Sequence, residues 1–291
     1  MNSPWLPLEG SVDSVLASSG NPIGALVRGE VPAIVLRGAY PPADGRRLVS
    51  RFYDRDLVPG LPRPGETIEA RGDIERVDVG TSLGNIGEER ELFLEEAEKT
   101  HRLFDILFED ITSPVNCLYD ALTRLSPGKQ AVTAYEADGR RYGPAIFRCH
   151  MPHWGYPPHV DSVRRRQART AYDVYRFPHQ LAGILMLQAP EKEATSVDSI
   201  QYGKEWNHET AKREGRDFGD DLGALDREAF HAYVQENHID RYEVRLNEGD
   251  MYFFKSENVH EVPGFTGNRP RIVMATFIGY SPDEDEIFVW S

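Results

Sequence analysis

Between residues 242 and 290 the chain is a run of short apolar segments cut by strong turn signals. Residues 242–246 alternate, Asn247-Glu248-Gly249-Asp250 turns, 251–254 is apolar, 259–262 is short, Thr266-Gly267-Asn268 turns, and 271–280 and 287–290 follow. Segments this short, punctuated this often, cannot pack as helices and point to a sandwich or a barrel. Residues 145–149, 181–188 and 199–202 add further strand-like runs, and 31–38 and 132–135 read as extended pieces upstream. Helical patterns precede most of these strands. Pro41-Pro42 opens a helix with Leu48, Val49 and Phe52 on its apolar face. Residues 88–108 place Leu92, Phe93, Ala97, Leu103, Phe104 and Leu107 at helical spacing, and a helix over 114–125 stops at Ser126-Pro127-Gly128.

Helices first and strands after fit a mainly β fold with flanking α. The expected architecture is a jelly-roll, cupin-like core over 131–291 with an N-terminal strand and helical buttress over 1–130, in one domain of 1–291. Residues 1–30 read as a partly ordered lead-in and 163–178 as a polar connection. Residues 56–90 and 203–228 read as lid-like loops. A net charge of −14 without a long basic run argues against nucleic acid as a partner. The densest basic cluster, Arg164, Arg165, Arg166 and Arg169, is either a solvated turn or an attractor of an anionic substrate or co-substrate. Two scattered cysteines, Cys117 and Cys149, make no disulfide framework. With no charged-then-apolar leader and no spanning apolar run, a cytoplasmic protein without a membrane partner is expected. The oligomeric state is left open.

The chemistry concentrates at Pro157-Pro158-His159-Val160-Asp161-Ser162. On an extended segment, side chains at i and i+2 point to the same side, so His159 and Asp161 converge. An imidazole and a carboxylate are two of the three ligands of the 2-His-1-carboxylate facial triad, which holds ferrous iron with open positions. His260 is the candidate third ligand, far enough along the chain for several strands to intervene. A second copy of the pattern, His238-Ile239-Asp240, lies beside a helix end with little room before His260 and is the weaker candidate. Arg271 follows His260 across a turn. Two antiparallel strands would bring its guanidinium near the metal, where it suits a carboxylate clamp. The plain alternative is a turn histidine, a capping aspartate, a sheet histidine and a surface arginine.

These residues resemble the pattern of the iron(II)/2-oxoglutarate-dependent oxygenases, over roughly 145–291. The layout of Gly249-Asp250, the segment of His260, Gly267-Asn268-Arg269-Pro270-Arg271 and the closing Phe288-Val289-Trp290-Ser291 is similar to the carrier-independent halogenases of indole alkaloid pathways. Those halogenases have glycine where this chain has Asp161, and the vacated position admits chloride. With Asp161 present, the resemblance implies hydroxylation or another oxidation of an unactivated C–H bond of a small molecule in natural-product biosynthesis, releasing succinate and CO2. It implies a double-stranded β-helix, with Fe(II), 2-oxoglutarate and O2 as cofactors and ascorbate as reductant. His159, Asp161 and His260 would bind the iron. Arg271 would bind the far carboxylate of 2-oxoglutarate, with Arg269 as the alternative, and Arg148 would orient the near one.

Substrate recognition is weakly encoded. Trp206, Trp154, Tyr156 and Tyr135 are the pocket candidates, Trp206 foremost, because an aromatic in a polar lid-like segment needs a surface to cover. Of Phe253 and Phe254, alternation allows only one to face inward. His150, His153 and His208 read as solvent- or backbone-bonded. Three rivals stand beside this reading: a cupin-type iron oxygenase without 2-oxoglutarate, a non-catalytic ligand-binding barrel, and a halogenase acting despite Asp161.

Overall fold

The computed structural model describes residues 5–63, 75–165, 167–191, 196–216, 218 and 224–291. Its elements run β1 (Leu8–Gly10), α1 (Val12–Ser18), α2 (Pro22–Val27), β2 (Ile34–Leu36), α3 (Pro42–Asp54), β3 (Arg76–Val79), α4 (Leu83–Ile86), α5 (Arg90–Leu107), α6 (Pro114–Arg124), β4 (Gln130–Thr133) and β5 (Ile146–His150). There follow β6 (Tyr156–His159), β7 (His179–Gln188), β8 (Ser199–Glu205), α7 (His208–Glu214), α8 (Arg227–Glu236), β9 (Arg241–Val244), β10 (Met251–Lys255), β11 (Asn258–Val262), β12 (Arg271–Tyr280) and β13 (Glu286–Trp290).

Strands β5 to β12 wind between two sheets. β10, β7, β12 and β5 are neighbours in the large sheet, and β6, β11, β8 and β9 form the small one. Except for the β8–β9 pair, successive core strands alternate sheets, which is the winding of a double-stranded β-helix. β2 and β1 extend the large sheet beyond β10, β13 and β4 extend it beyond β12, and β3 lies on the free edge of β5.

The long strands of the large sheet are apolar on both faces because both are covered. Along β7, Leu181, Leu185 and Leu187 join the core under the helices, whereas Ala182 and Met186 face the barrel. β10 divides likewise: Phe253 packs with the helices and Phe254 points inward. Gly183 lets α6 approach, because a Cβ there would lie 3.2 Å from Leu118 Cδ1 and 3.0 Å from Thr276 Oγ1. Gly249, at φ +89°, makes the β9–β10 turn against the Tyr40 carbonyl, where a side chain would collide. Asp250 then ties that turn to the exit of β2, accepting from Arg37 at 2.6 Å and from the Gly38 N–H at 2.9 Å.

Three expectations need correction. The lead-in holds α1 and α2, each capped by a side chain, Ser11 on the Ser14 N–H and Asn21 on the Gly24 N–H. The region 56–90 is not one loop: β3 and α4 lie within it, and 64–74 fall outside the described residues. The region 203–228 carries α7 on an Asn207 cap, with 217 and 219–223 outside the described residues. Arg166 of the basic cluster is outside them too. No helix among the described residues is long and apolar enough to cross a membrane, and both cysteines are free thiols.

Candidate metal centre and active site

β6 is the outer strand of the small sheet, a position that tolerates Pro157 and Pro158, which cannot donate to a ladder. Its register on β11 sets His159 opposite His260. Both imidazoles therefore leave the same face, with ring centroids 4.2 Å apart. Asp161 lies just past the strand, clamped by its backbone. Its N–H donates to the Ser256 carbonyl at 2.8 Å, and its carbonyl accepts from Ser256 Oγ at 2.9 Å and Gln180 Nε2 at 3.3 Å. The carboxylate turns back so that Oδ2 lies 3.8 Å from His159 Nε2 and 3.5 Å from His260 Nε2. Among the described residues this is the one cluster of three potential ligands, all within 4.8 Å of one another.

The donor set fits a divalent metal. His159 Nδ1 lies 2.7 Å from the Pro157 carbonyl and His260 Nδ1 3.0 Å from the Asn258 carbonyl. A carbonyl only accepts, so each Nδ1 carries the proton and each Nε2 presents its lone pair toward Asp161. Burial, with His260 and Arg148 nearby, lowers the His159 pKa to about 4 and keeps the ring neutral. Burial pushes the Asp161 carboxyl up, but the proximity of His260, His159 and Arg148 outweighs it and holds the group well below the usual carboxylate range.

Two compartments meet at this cluster. One, of about 620 Å³, runs between the sheets past Ala182, Ile184 and Phe254 to Ser199, Tyr252 and Arg271. Arg271 is 6% exposed. Its Nη1 donates to the Asp198 carbonyl at 3.0 Å, and its buried Nε has no partner. No carboxylate among the described residues pairs with it. A desolvated guanidinium with open donors at the end of an apolar channel suits the far carboxylate of a 2-oxo dicarboxylic acid. The second compartment, of about 770 Å³, opens on the other side of His159 and Asp161 and is lined in part by Arg76, Arg169 and Trp290. Arg148 lines both.

The remaining candidates scatter. Arg269 lines neither compartment; it pairs with Glu248 at 2.8 Å and is 42% exposed. Trp206 lines neither compartment: it is buried against Phe218, Phe230 and Tyr233 in a satellite core. Tyr135 lines neither compartment; its ring packs at a tilt against Phe288 and its hydroxyl donates to Glu286. Trp154 stands behind the wall, stacked on His150 and bonded to Glu75. His238 and Asp240 lie at the end of α8, outside both compartments.

His150 reverses its expectation. It is 3% exposed, lines the first compartment, and its Nδ1 has no partner. Arg76 and Tyr252 also line the cavity without having been singled out. For Arg76 the only signal was its place two residues before Asp78 on a polar strand, which does not reveal the strand it pairs with.

The comparisons agree with this geometry. A family model described as carrier-protein-independent halogenase WelO5 matches residues 5–291. Among solved structures, a novel N-substituted L-amino acid dioxygenase from Burkholderia ambifaria AMMD superposes with a TM-score of 0.53 at 18% identity, covering 92% of this chain and 90% of that one. The same enzyme in complex with alpha-KG gives 0.52 at 18% identity, with the same coverage. These likenesses show the shared fold. HygX from Streptomyces hygroscopicus, with nickel and 2-oxoglutarate bound, matches at 0.43 and 9% identity over 87% of this chain and 85% of that one, too distantly to carry an argument. No curated protein matches the sequence significantly. With a family match over nearly its whole length and a His-Asp-His cluster at the centre of the barrel, the chain belongs to the WelO5 family of oxygenases that use iron(II) and 2-oxoglutarate.

Proposed function

We propose that this protein hydroxylates, or otherwise oxidises, an unactivated C–H bond of a small molecule in the tailoring of a natural product, and that it oxygenates rather than halogenates. One observation carries this reading: the Asp161 carboxylate lies 3.5 and 3.8 Å from the two imidazole Nε2 atoms. A carboxylate there completes a facial triad and fills the position a halide would need.

In this reading His159, Asp161 and His260 hold the iron, and Arg271 holds the far carboxylate of 2-oxoglutarate. Bound together, the metal and co-substrate supply the oxidation of a C–H bond, with release of succinate and CO2. The chain's own groups do the placing. The two backbone-bonded imidazoles fix the ring planes, and the Ser256 and Gln180 contacts fix the carboxylate. Ile184, Phe254 and Val273 keep the first compartment dry, which strengthens the Arg271 contact.

The test is an anaerobic titration of metal-free protein with ferrous iron and then 2-oxoglutarate, followed by turnover in chloride-containing buffer. The expected result is a weak visible charge-transfer band that is absent in Asp161→Ala, and products that carry oxygen. Iron binding without a band overturns the 2-oxoglutarate assignment, and a chlorinated product overturns the role given to Asp161.

A further inference from the structure

Among the described residues, the two compartments are lined by four guanidiniums, of Arg76, Arg148, Arg169 and Arg271, and by the Asp161 carboxylate, with the Asp78 carboxylate paired to Arg76. Iron(II) and 2-oxoglutarate carry equal and opposite formal charges, so filling the site with both leaves the excess of positive charge. The excess is built into the sheet. Across β3, β5 and β12 the register places Arg76, His150 and Arg271 in one row and Asp78, Arg148 and Val273 in the next. Residues two apart on a strand share a face, so both rows present their side chains to the barrel. Arg76 is compensated by Asp78 at 2.8 Å and donates to the Tyr156 hydroxyl. Arg148 has no hydrogen-bond or ion-pair partner among the described residues, and its Nε is buried. A guanidinium whose buried Nε lacks an acceptor is left partly unsatisfied, and a bound anion supplies that acceptor.

Leu83, Val163, Phe277 and Trp290 give the second compartment an apolar part, beside the polar Asn85, Ser162 and Gln180. Tyr156 and Trp154 flank Arg76, whose guanidinium carbon lies 5.9 and 6.0 Å from their ring centres. We propose that the substrate is an amphipathic carboxylic acid, its carboxylate seated against Arg148 and Arg76 beside the Tyr156 hydroxyl and its apolar body over Leu83, Val163, Phe277 and Trp290. This rests on the oxygenase reading above. A planar carboxylate matches the guanidinium fork.

The experiment uses full-length protein loaded anaerobically with ferrous iron and saturating 2-oxoglutarate. The probes are indole-3-butyrate, 4-phenylbutyrate and 6-phenylhexanoate, each beside its primary amide. Binding is read by calorimetry and by perturbation of the visible band, which also reports that the metal and co-substrate are in place. At least one acid is expected to bind about tenfold or more tightly than its amide, and added salt is expected to weaken the acid alone. Arg76→Gln is expected to cut the acid preference to about threefold or less while leaving the 2-oxoglutarate titration unchanged. Arg76→Lys, which keeps the charge without the fork, is expected to retain part of the preference and serves if the glutamine variant does not fold. Amides binding as tightly as acids, a formed band with no acid bound, or an undiminished preference in Arg76→Gln each overturns the proposal. Failure of the band to form overturns the oxygenase reading and this one with it.

Discussion

Replacing Arg271 with methionine should separate co-substrate binding from folding. Arg271 is 6% exposed, its guanidinium gives one hydrogen bond to the Asp198 carbonyl, and its buried Nε has no partner. The variant loses that bond, a loss of roughly 1.5–3 kcal/mol for a charged donor. It also loses a desolvation penalty of several kcal/mol. Stability of the ligand-free protein should therefore hold to within about 1 kcal/mol or rise. Affinity should fall sharply. The edge carrying Nε and Nη2 is the one offered to a carboxylate, and truncating a buried charge pair costs about 2–5 kcal/mol. That converts to a 2-oxoglutarate Kd raised about 30-fold to a few thousand-fold. Arg271→Lys should fall between, since an ammonium cannot fork. Anaerobic titration of the visible band gives the Kd, and denaturant melts with and without 2-oxoglutarate give the stability. A folded Arg271→Met protein whose Kd stays within about threefold of the parent refutes the clamp, and a large stability loss without ligand refutes the view of Arg271 as a strained cation.

Other outcomes follow from the same geometry. Asp161→Ala should weaken ferrous iron binding by more than the roughly 10- to 100-fold typical of losing a group that merely supports a ligand, and should stop succinate release while the far-ultraviolet dichroism is retained; full turnover would remove Asp161 from the site. Trp206→Ala should destabilise the protein by about 3–5 kcal/mol, because a large buried ring leaves a cavity, yet 2-oxoglutarate affinity measured below the melting range should not move; a selective loss of affinity would return Trp206 to the pocket. Burial, then Arg271, Arg148 and Arg76, hold the His150 pKa well below its ordinary value. Below about pH 6.5 the unfolded chain takes up a proton that the folded chain refuses, so this residue makes stability fall as the pH drops. His150→Leu should flatten that part of the profile in denaturation measured from about pH 7.5 to 5, and an unchanged slope would mean that His150 is protonated in the fold.

Much of the fold was legible because its signals are local. The helix over Arg90–Leu107 and the strands His179–Gln188 and Arg271–Tyr280 carry their own periodicity or apolar length, and the turn at Asn247–Asp250 carries its own chemistry. What failed locally had weak or non-local signals. β3 is a four-residue polar strand that exists by pairing with β5, and α1 and α2 are too short to show a period beyond their caps.

The site divides in the same way. The His-x-Asp pair was visible because period-two geometry acts over two residues, and Arg271 because one turn separates its strand from that of His260. The sequence alone therefore determined which ligands the chain could offer and that strands would carry them. Only the tertiary structure decided that His159 faces His260, since register is a property of two strands. Only it decided that Arg148 and His150 line the cavity while Arg269 and Trp206 do not. Which face of a strand is inside, and whether a charge keeps a partner, are settled by what packs across the barrel, and those neighbours lie far apart along the chain.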